Sequence, residues 1–147
     1  MTLIAYKKAG LKYAIIESFS AGLELTGAEV KAVRSKLGSM DGSRVLIRGG
    51  EAFIVGLTIP PYQQANTPKE YDPERTRRLL LKKSEIAHLA EEEAKKGQTI
   101  IPLELFAAGR YVKARVALVR GKNKSDKRET LKKKDAQREI DRAMKSR

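Results

Sequence analysis

Ser43-Arg-Val-Leu-Ile-Arg48, Gly49-Gly50, Glu51-Ala-Phe-Ile-Val-Gly-Leu-Thr-Ile59 is the most informative stretch of this 147-residue chain. β-Branched and aromatic residues cluster on both sides of a two-residue glycine link. Such a link suits the mirror-image turns of a hairpin, which need positive φ. Pro60 and Pro61 end the second strand, because proline cannot donate to a ladder. Residues 62–71 then read as a polar loop.

Working outward, residues 13–19, Tyr-Ala-Ile-Ile-Glu-Ser-Phe, read as a strand. Thr26-Gly27-Ala28-Glu29 is a capping box, with the acid three residues after the threonine, and it opens a helix. Val30, Val33 and Leu37 follow at helical spacing, while Lys31, Arg34 and Lys36 leave the outer side basic. Asp72-Pro73-Glu74 has the form of a second helix start, with a cap, a proline at the first position and an acid in the first turn. Ser84 begins a third helix, with Ile86, Leu89, Ala90 and Ala94 on one face and Lys95-Lys96-Gly97 closing it. Residues 99–106 and 111–119 form a second hairpin around Gly109. In its second strand Val112, Ala114, Val116 and Leu118 point one way, and Tyr111, Lys113 and Arg115 point the other, giving a core side and a wet basic side.

Two hairpins and three short helices predict an α+β, mainly β fold: a small antiparallel oligonucleotide-binding-type barrel with three short helices and a basic C-terminal tail. From patterning alone this is one barrel type among several. The predicted division is residues 1–120 as the β-barrel domain, with its compact core from about residue 10, and residues 121–147 as the tail. The tail holds eleven Lys or Arg against five Asp or Glu, so it carries +6 of the formal charge of +13. Its few apolar residues, among them Ala136, Ile140, Ala143 and Met144, make a stripe too thin for a core. It is expected to be disordered alone and to fold as a helix on a partner.

Lys and Arg outnumber Asp and Glu by 31 to 18, which favours a polyanionic partner. The cations are clustered at Lys7, Lys8, Lys31, Arg34, the Arg75–Lys83 run and the tail, and this points to nucleic acid. The tail lacks the Trp, Phe and multiple Leu of an interfacial helix, so no membrane is expected. The absence of cysteine excludes disulfides, thiolate metal sites and cysteine catalysis, and fits a reducing compartment. No signal-peptide pattern opens the chain, and a cytoplasmic location is the expectation. His88, the single histidine, has no second histidine for a metal or acid/base pair and is expected at the surface. Glu91-Glu92-Glu93 cannot converge on a metal, because consecutive helical residues point in different directions. Gly121-Lys122-Asn123-Lys124 lacks the spacing of a phosphate loop. No catalytic residue, metal or cofactor is expected. Glu29 carries two readings: it completes the capping box, or it accepts from the amino group of a base.

Several segments in this order resemble the SmpB (small protein B) family along nearly the whole chain. They are Lys7-Lys8-Ala9 with Tyr13, Ala21-Gly22-Leu23-Glu24-Leu25-Thr26-Gly27-Ala28-Glu29-Val30-Lys31, Asp72-Pro73 to Arg75, and Arg77-Arg78-Leu79-Leu80-Leu81. Lys96-Gly97, Thr99 to Leu103, and Gly121-Lys122-Asn123-Lys124-Ser125-Asp126-Lys127-Arg128 complete the set. The resemblance implies a barrel that grips the tRNA-like part of transfer-messenger RNA and a tail that enters the decoding site and mRNA channel of a stalled small ribosomal subunit. It implies a non-enzymatic monomer acting in trans-translation. Lys7, Lys8, Lys31, Arg34, Lys113, Lys122 and Lys124 would then contact RNA, with Glu29 bonding a base or holding the helix end. Asp126, Lys127 and Arg128 would sit in the decoding site. Three positions depart from the family pattern: Tyr6 replaces a usual Asn, Asn123 a usual Lys, and Ser125 a usual aromatic or His. The competing readings are a ribosomal or ribosome-assembly protein bound to ribosomal RNA, and a metal-dependent nuclease.

Overall fold

The computed structural model describes residues 1–63, 65 and 67–121. The tail, with Lys122, Lys124, Asp126, Lys127 and Arg128, lies outside the described residues.

In chain order the elements are β1 (Thr2–Ala5), α1 (Ala9–Lys12), β2 (Tyr13–Leu23), α2 (Gly27–Arg34), β3 (Arg44–Arg48), β4 (Glu51–Val55), β5 (Arg77–Leu80), α3 (Lys83–Glu93), β6 (Gln98–Ala108) and β7 (Tyr111–Gly121). Seven strands join one antiparallel sheet in the order β1-β6-β7-β2-β5-β4-β3. The far strand β3 also packs against β6, so the sheet curls onto itself as a barrel-like, mainly β fold with helices packed on it.

The expected hairpin at residues 43–59 is β3–β4, paired from Arg44↔Val55 to Arg48↔Glu51. Its link has positive φ at both Gly49 and Gly50 (59° and 74°), the pattern of a type I′ turn. The second strand is shorter than expected. It ends at Val55, and Gly56 at φ +79° turns the chain. Leu57 and Ile59 then continue into the core as irregular chain.

Sidedness explains the rest of the sheet. On β7, Val112, Ala114 and Val116 are buried while Tyr111, Lys113 and Arg115 are exposed. Further along, Ala117, Leu118 and Val119 are all buried, because α3 packs over β6 and β7 there and covers the second face. Leu89 of α3, fully buried, anchors that contact; such a side chain contributes about 1.5–3 kcal/mol.

Three expectations are corrected. The helix at Asp72-Pro73-Glu74 is absent. Asp72 Oδ1 accepts from the Glu74 amide (2.9 Å), and its carbonyl accepts from the Arg75 amide (3.2 Å), so the segment is a single turn. The chain then extends as β5, because Arg77 and Leu79 are both pulled into the interior between β4 and β2. The core begins well before residue 10: β1 pairs with β6 and buries Leu3 and Ile4, and Tyr6 follows them inside. Finally, α2 ends at Arg34 and buries Glu29, Ala32 and Val33, leaving Leu37 exposed. The helix closes through Lys36 N→Val33 O (2.8 Å) and Leu37 N→Ala32 O (2.9 Å), with Lys36 at φ +62° in the left-handed position that glycine usually fills.

Candidate nucleic-acid interface

The capping box at the start of α2 is present. Thr26 Oγ1 accepts from the Glu29 amide (3.2 Å), and Glu29 Oε1 accepts from the Thr26 amide (2.9 Å). The same carboxylate is also the centre of an internal ion cluster. Arg77 Nε donates to Glu29 Oε2 at 2.8 Å and Arg77 Nη2 lies 2.7 Å from that oxygen. Arg75 reaches both carboxylate oxygens. Arg77 spends its remaining donors on the carbonyls of Leu57 (2.7 Å), Arg75 (3.1 Å) and Pro73 (2.9 Å). The Tyr71 hydroxyl donates to Ile59 O (2.7 Å) beside them.

Glu29 is 1% exposed and Arg77 is fully buried. Burial pushes the Glu29 carboxyl upward. The hydrogen bonds from Arg75, the Thr26 amide and Arg77, with the charge of Arg77, outweigh it and hold the group down at about 2. The Tyr71 hydroxyl moves up, through burial first and then the Glu29 charge. An unpaired buried charge would be far more costly than this satisfied cluster, and no buried side-chain polar atom among the described residues lacks a partner.

Of the two readings of Glu29, these contacts show the one in which it holds the start of α2. A pocket of about 250 Å³ between the start of α2, Pro60–Tyr62, Pro68 and Tyr71 does touch Glu29. Thr26, Ala28, Tyr62 and Tyr71 line it as well, and both oxygens of the Glu29 carboxylate already accept hydrogen bonds within the protein. Within the Arg75–Lys83 run, Arg75 and Arg77 are spent on Glu29 and Arg78 pairs with Glu51 (3.2 Å) and Glu24 (3.8 Å), while Lys82 and Lys83 stay exposed. Tyr71, and the pairing of Arg75 and Arg77 with Glu29, are what sequence reasoning missed. The one signal available was alternation, Arg77 and Leu79 two apart on one face of a strand.

The remaining expected cations lie outside. Lys7, Lys8, Lys31 and Lys113 are exposed and form no ion pair with a described residue. Lys7 and Lys36 line one cleft of about 390 Å³ between β1 and residues 38–41, with Asp41 on its rim. Arg34 has a structural task as well, since its Nη2 donates to the Gly109 carbonyl (2.6 Å) and ties α2 to the β6–β7 turn. That bond sets Arg34 against the turn of the hairpin that carries Lys113. Tyr6, expected to replace a polar RNA contact, is 6% exposed and packs in the core. His88 is only half exposed. It bonds Glu17 (2.9 Å) and tilts against Phe19, joining α3 to β2.

Among the described residues no group of three His, Asp or Glu side chains could hold a metal ion, and no helix is long and apolar enough to cross a membrane.

Comparison with known proteins agrees with this architecture. The SmpB protein family model matches residues 3–146. An SsrA-binding protein of Streptococcus pyogenes serotype M18 is 44% identical over 139 residues, covering 95% of this chain and 89% of the relative. One from Microcystis aeruginosa is 44% identical over 133 residues, covering 90% and 86%. A solved chain described as "tmRNA-SmpB: a journey to the center of the bacterial ribosome" superposes with a TM-score of 0.70 at 33% identity, covering 89% of this chain and 95% of that one. With the capped α2, the internal Glu29 cluster and the cation-bearing outer face in place, the chain belongs to the SmpB family.

Proposed function

We propose that this protein binds the tRNA-like part of transfer-messenger RNA and delivers it to stalled ribosomes for trans-translation. The carrying observation is the set of exposed cations Lys7, Lys8, Lys31 and Lys113, which pair with no described carboxylate, on a barrel where Arg48, Arg75, Arg77, Arg78 and Arg115 are each paired with one. The SsrA-binding relatives and the tmRNA-SmpB neighbour supply the RNA's identity. Phosphates pair with these lysines and with Arg34, while the Glu29 cluster keeps α2 seated so that its cations face outward. The protein itself catalyses nothing: the RNA and the ribosome carry the chemistry, in the cytoplasm. In this reading Lys122 and Lys124 extend the RNA contact, and Asp126, Lys127 and Arg128 set the tail in the decoding site of the small subunit.

The test is RNA capture from a lysate followed by sequencing, beside a salt titration on transcribed transfer-messenger RNA. Transfer-messenger RNA should dominate the captured pool. Log affinity should fall with log salt, and Lys31→Ala should flatten the slope by about 0.7–0.9, one phosphate contact. Capture of ribosomal RNA alone would favour a constitutive ribosomal protein and refute the proposal.

A further inference from the structure

We propose that the outer face of the β6–β7 hairpin is a base-stacking platform, with Tyr111 as the open ring that receives an unpaired RNA nucleobase. This rests on the RNA-binding reading and assigns to it a contact that charge alone does not supply.

Tyr111 is 74% exposed, on a regular strand at the mouth of a tight turn. Register explains the exposure. Its cross-strand partner is Ala108, too small to cover a ring. The turn between them has Gly109 at φ +60° and Arg110 at negative φ, as in a type II′ link, so the ring sits on a fixed backbone. Arg34 Nη2 fastens that turn to α2 through the Gly109 carbonyl (2.6 Å).

The neighbours on this face select the ligand. Lys113 lies two residues along the same strand, paired across to Phe106. Phe106 is already occupied, because the Arg115 guanidinium stands 5.6 Å from its ring centroid. Glu104, the acid on this face, is taken up by Arg115 Nε (3.3 Å) and Thr2 Oγ1 (3.0 Å). The uncompensated groups are therefore one exposed aromatic ring with Arg110 beside it in the chain and Lys113 two residues along the same strand. A ring bordered by cations fits a splayed nucleotide, whose base stacks while its phosphate meets a lysine. An apolar protein partner would gain nothing from the surrounding charge.

The chain contains no tryptophan, which gives a direct probe. Tyr111→Ala and Tyr111→Trp are compared with Lys113→Ala in the full-length protein, titrated with transcribed transfer-messenger RNA at several salt concentrations. Tyr111→Ala should weaken binding roughly 5–100-fold with the salt slope unchanged. Lys113→Ala should flatten the slope by about 0.7–0.9. Tyr111→Trp should retain affinity, and its emission should be quenched on binding. If Tyr111→Ala stays within twofold while Lys113→Ala weakens binding, the platform is refuted and RNA binding stands. If none of the variants changes RNA affinity, the RNA-binding reading of this face falls too. RNA affinity unchanged with ribosome binding lost in Tyr111→Ala would overturn the stacking role in favour of a protein contact.

Discussion

Replacing Glu29 by Ala takes the carboxylate from the centre of the buried cluster and leaves Arg77, fully buried, without its counter-charge. Two routes give the size of the effect. Breaking a buried pair from one side costs about 3–5 kcal/mol. Independently, the folded state holds the Glu29 carboxyl at about 2 against an ordinary 4.5, which at 1.36 kcal/mol per pH unit corresponds to about 3 kcal/mol. The route through titration also fixes the sign with pH. A carboxyl depressed on folding stabilises above its unfolded value, near 4.5, and that contribution is lost as pH falls towards 2. Wild type and Glu29→Ala, unfolded in urea at pH 7, should therefore differ by about 3 kcal/mol or more, and the difference should shrink steadily from pH 5 to pH 2. Glu29→Gln should recover about 1 kcal/mol, since its amide oxygen still caps α2. In a cycle with Arg77→Met the two losses should fall short of additivity by about 1–3 kcal/mol. RNA affinity should drop with stability, because α2 carries Lys31 and Arg34. A loss below about 1 kcal/mol at pH 7, or one that does not change between pH 5 and pH 2, would refute the account of the cluster.

Backbone geometry gives a second prediction. Gly38 has φ +131°, and an added Cβ would lie 2.8 Å from the Thr58 carbonyl oxygen, a backbone atom with little room to move. Gly38→Ala should cost about 1–3 kcal/mol by urea unfolding. Lys36→Gly, at the left-handed end of α2, should instead be neutral or stabilising by up to about 1 kcal/mol in the same assay. A third prediction concerns the tail. Truncation after Gly121 should leave Tm nearly unchanged and preserve most binding to isolated transfer-messenger RNA, yet abolish peptide tagging on stalled ribosomes. Replacing Asp126, Lys127 and Arg128 by Ala should reproduce much of that loss. Full tagging by the truncated protein would remove the tail from the decoding site.

Local chemistry was legible in the residues alone. The Gly49-Gly50 link, the Thr26–Glu29 capping box and the alternation along Val112–Val116 depend on a few neighbours in sequence, so the hairpins, α2 and the wet face of β7 are where they were expected. Position 73 shows the limit. Asp72-Pro73-Glu74 satisfies the local grammar of a helix start, but the free energy of burying Arg77 and Leu79 between β4 and β2 exceeds the few tenths of a kcal/mol per residue that helix propensity offers, and the segment became a turn and a strand. Arg77 lies 48 residues from Glu29, and Arg34 lies 75 from Gly109. No periodicity links such pairs. Which cations are spent inside the protein and which stay exposed was settled by tertiary contacts alone, because a charge pairs with whatever the fold brings within reach.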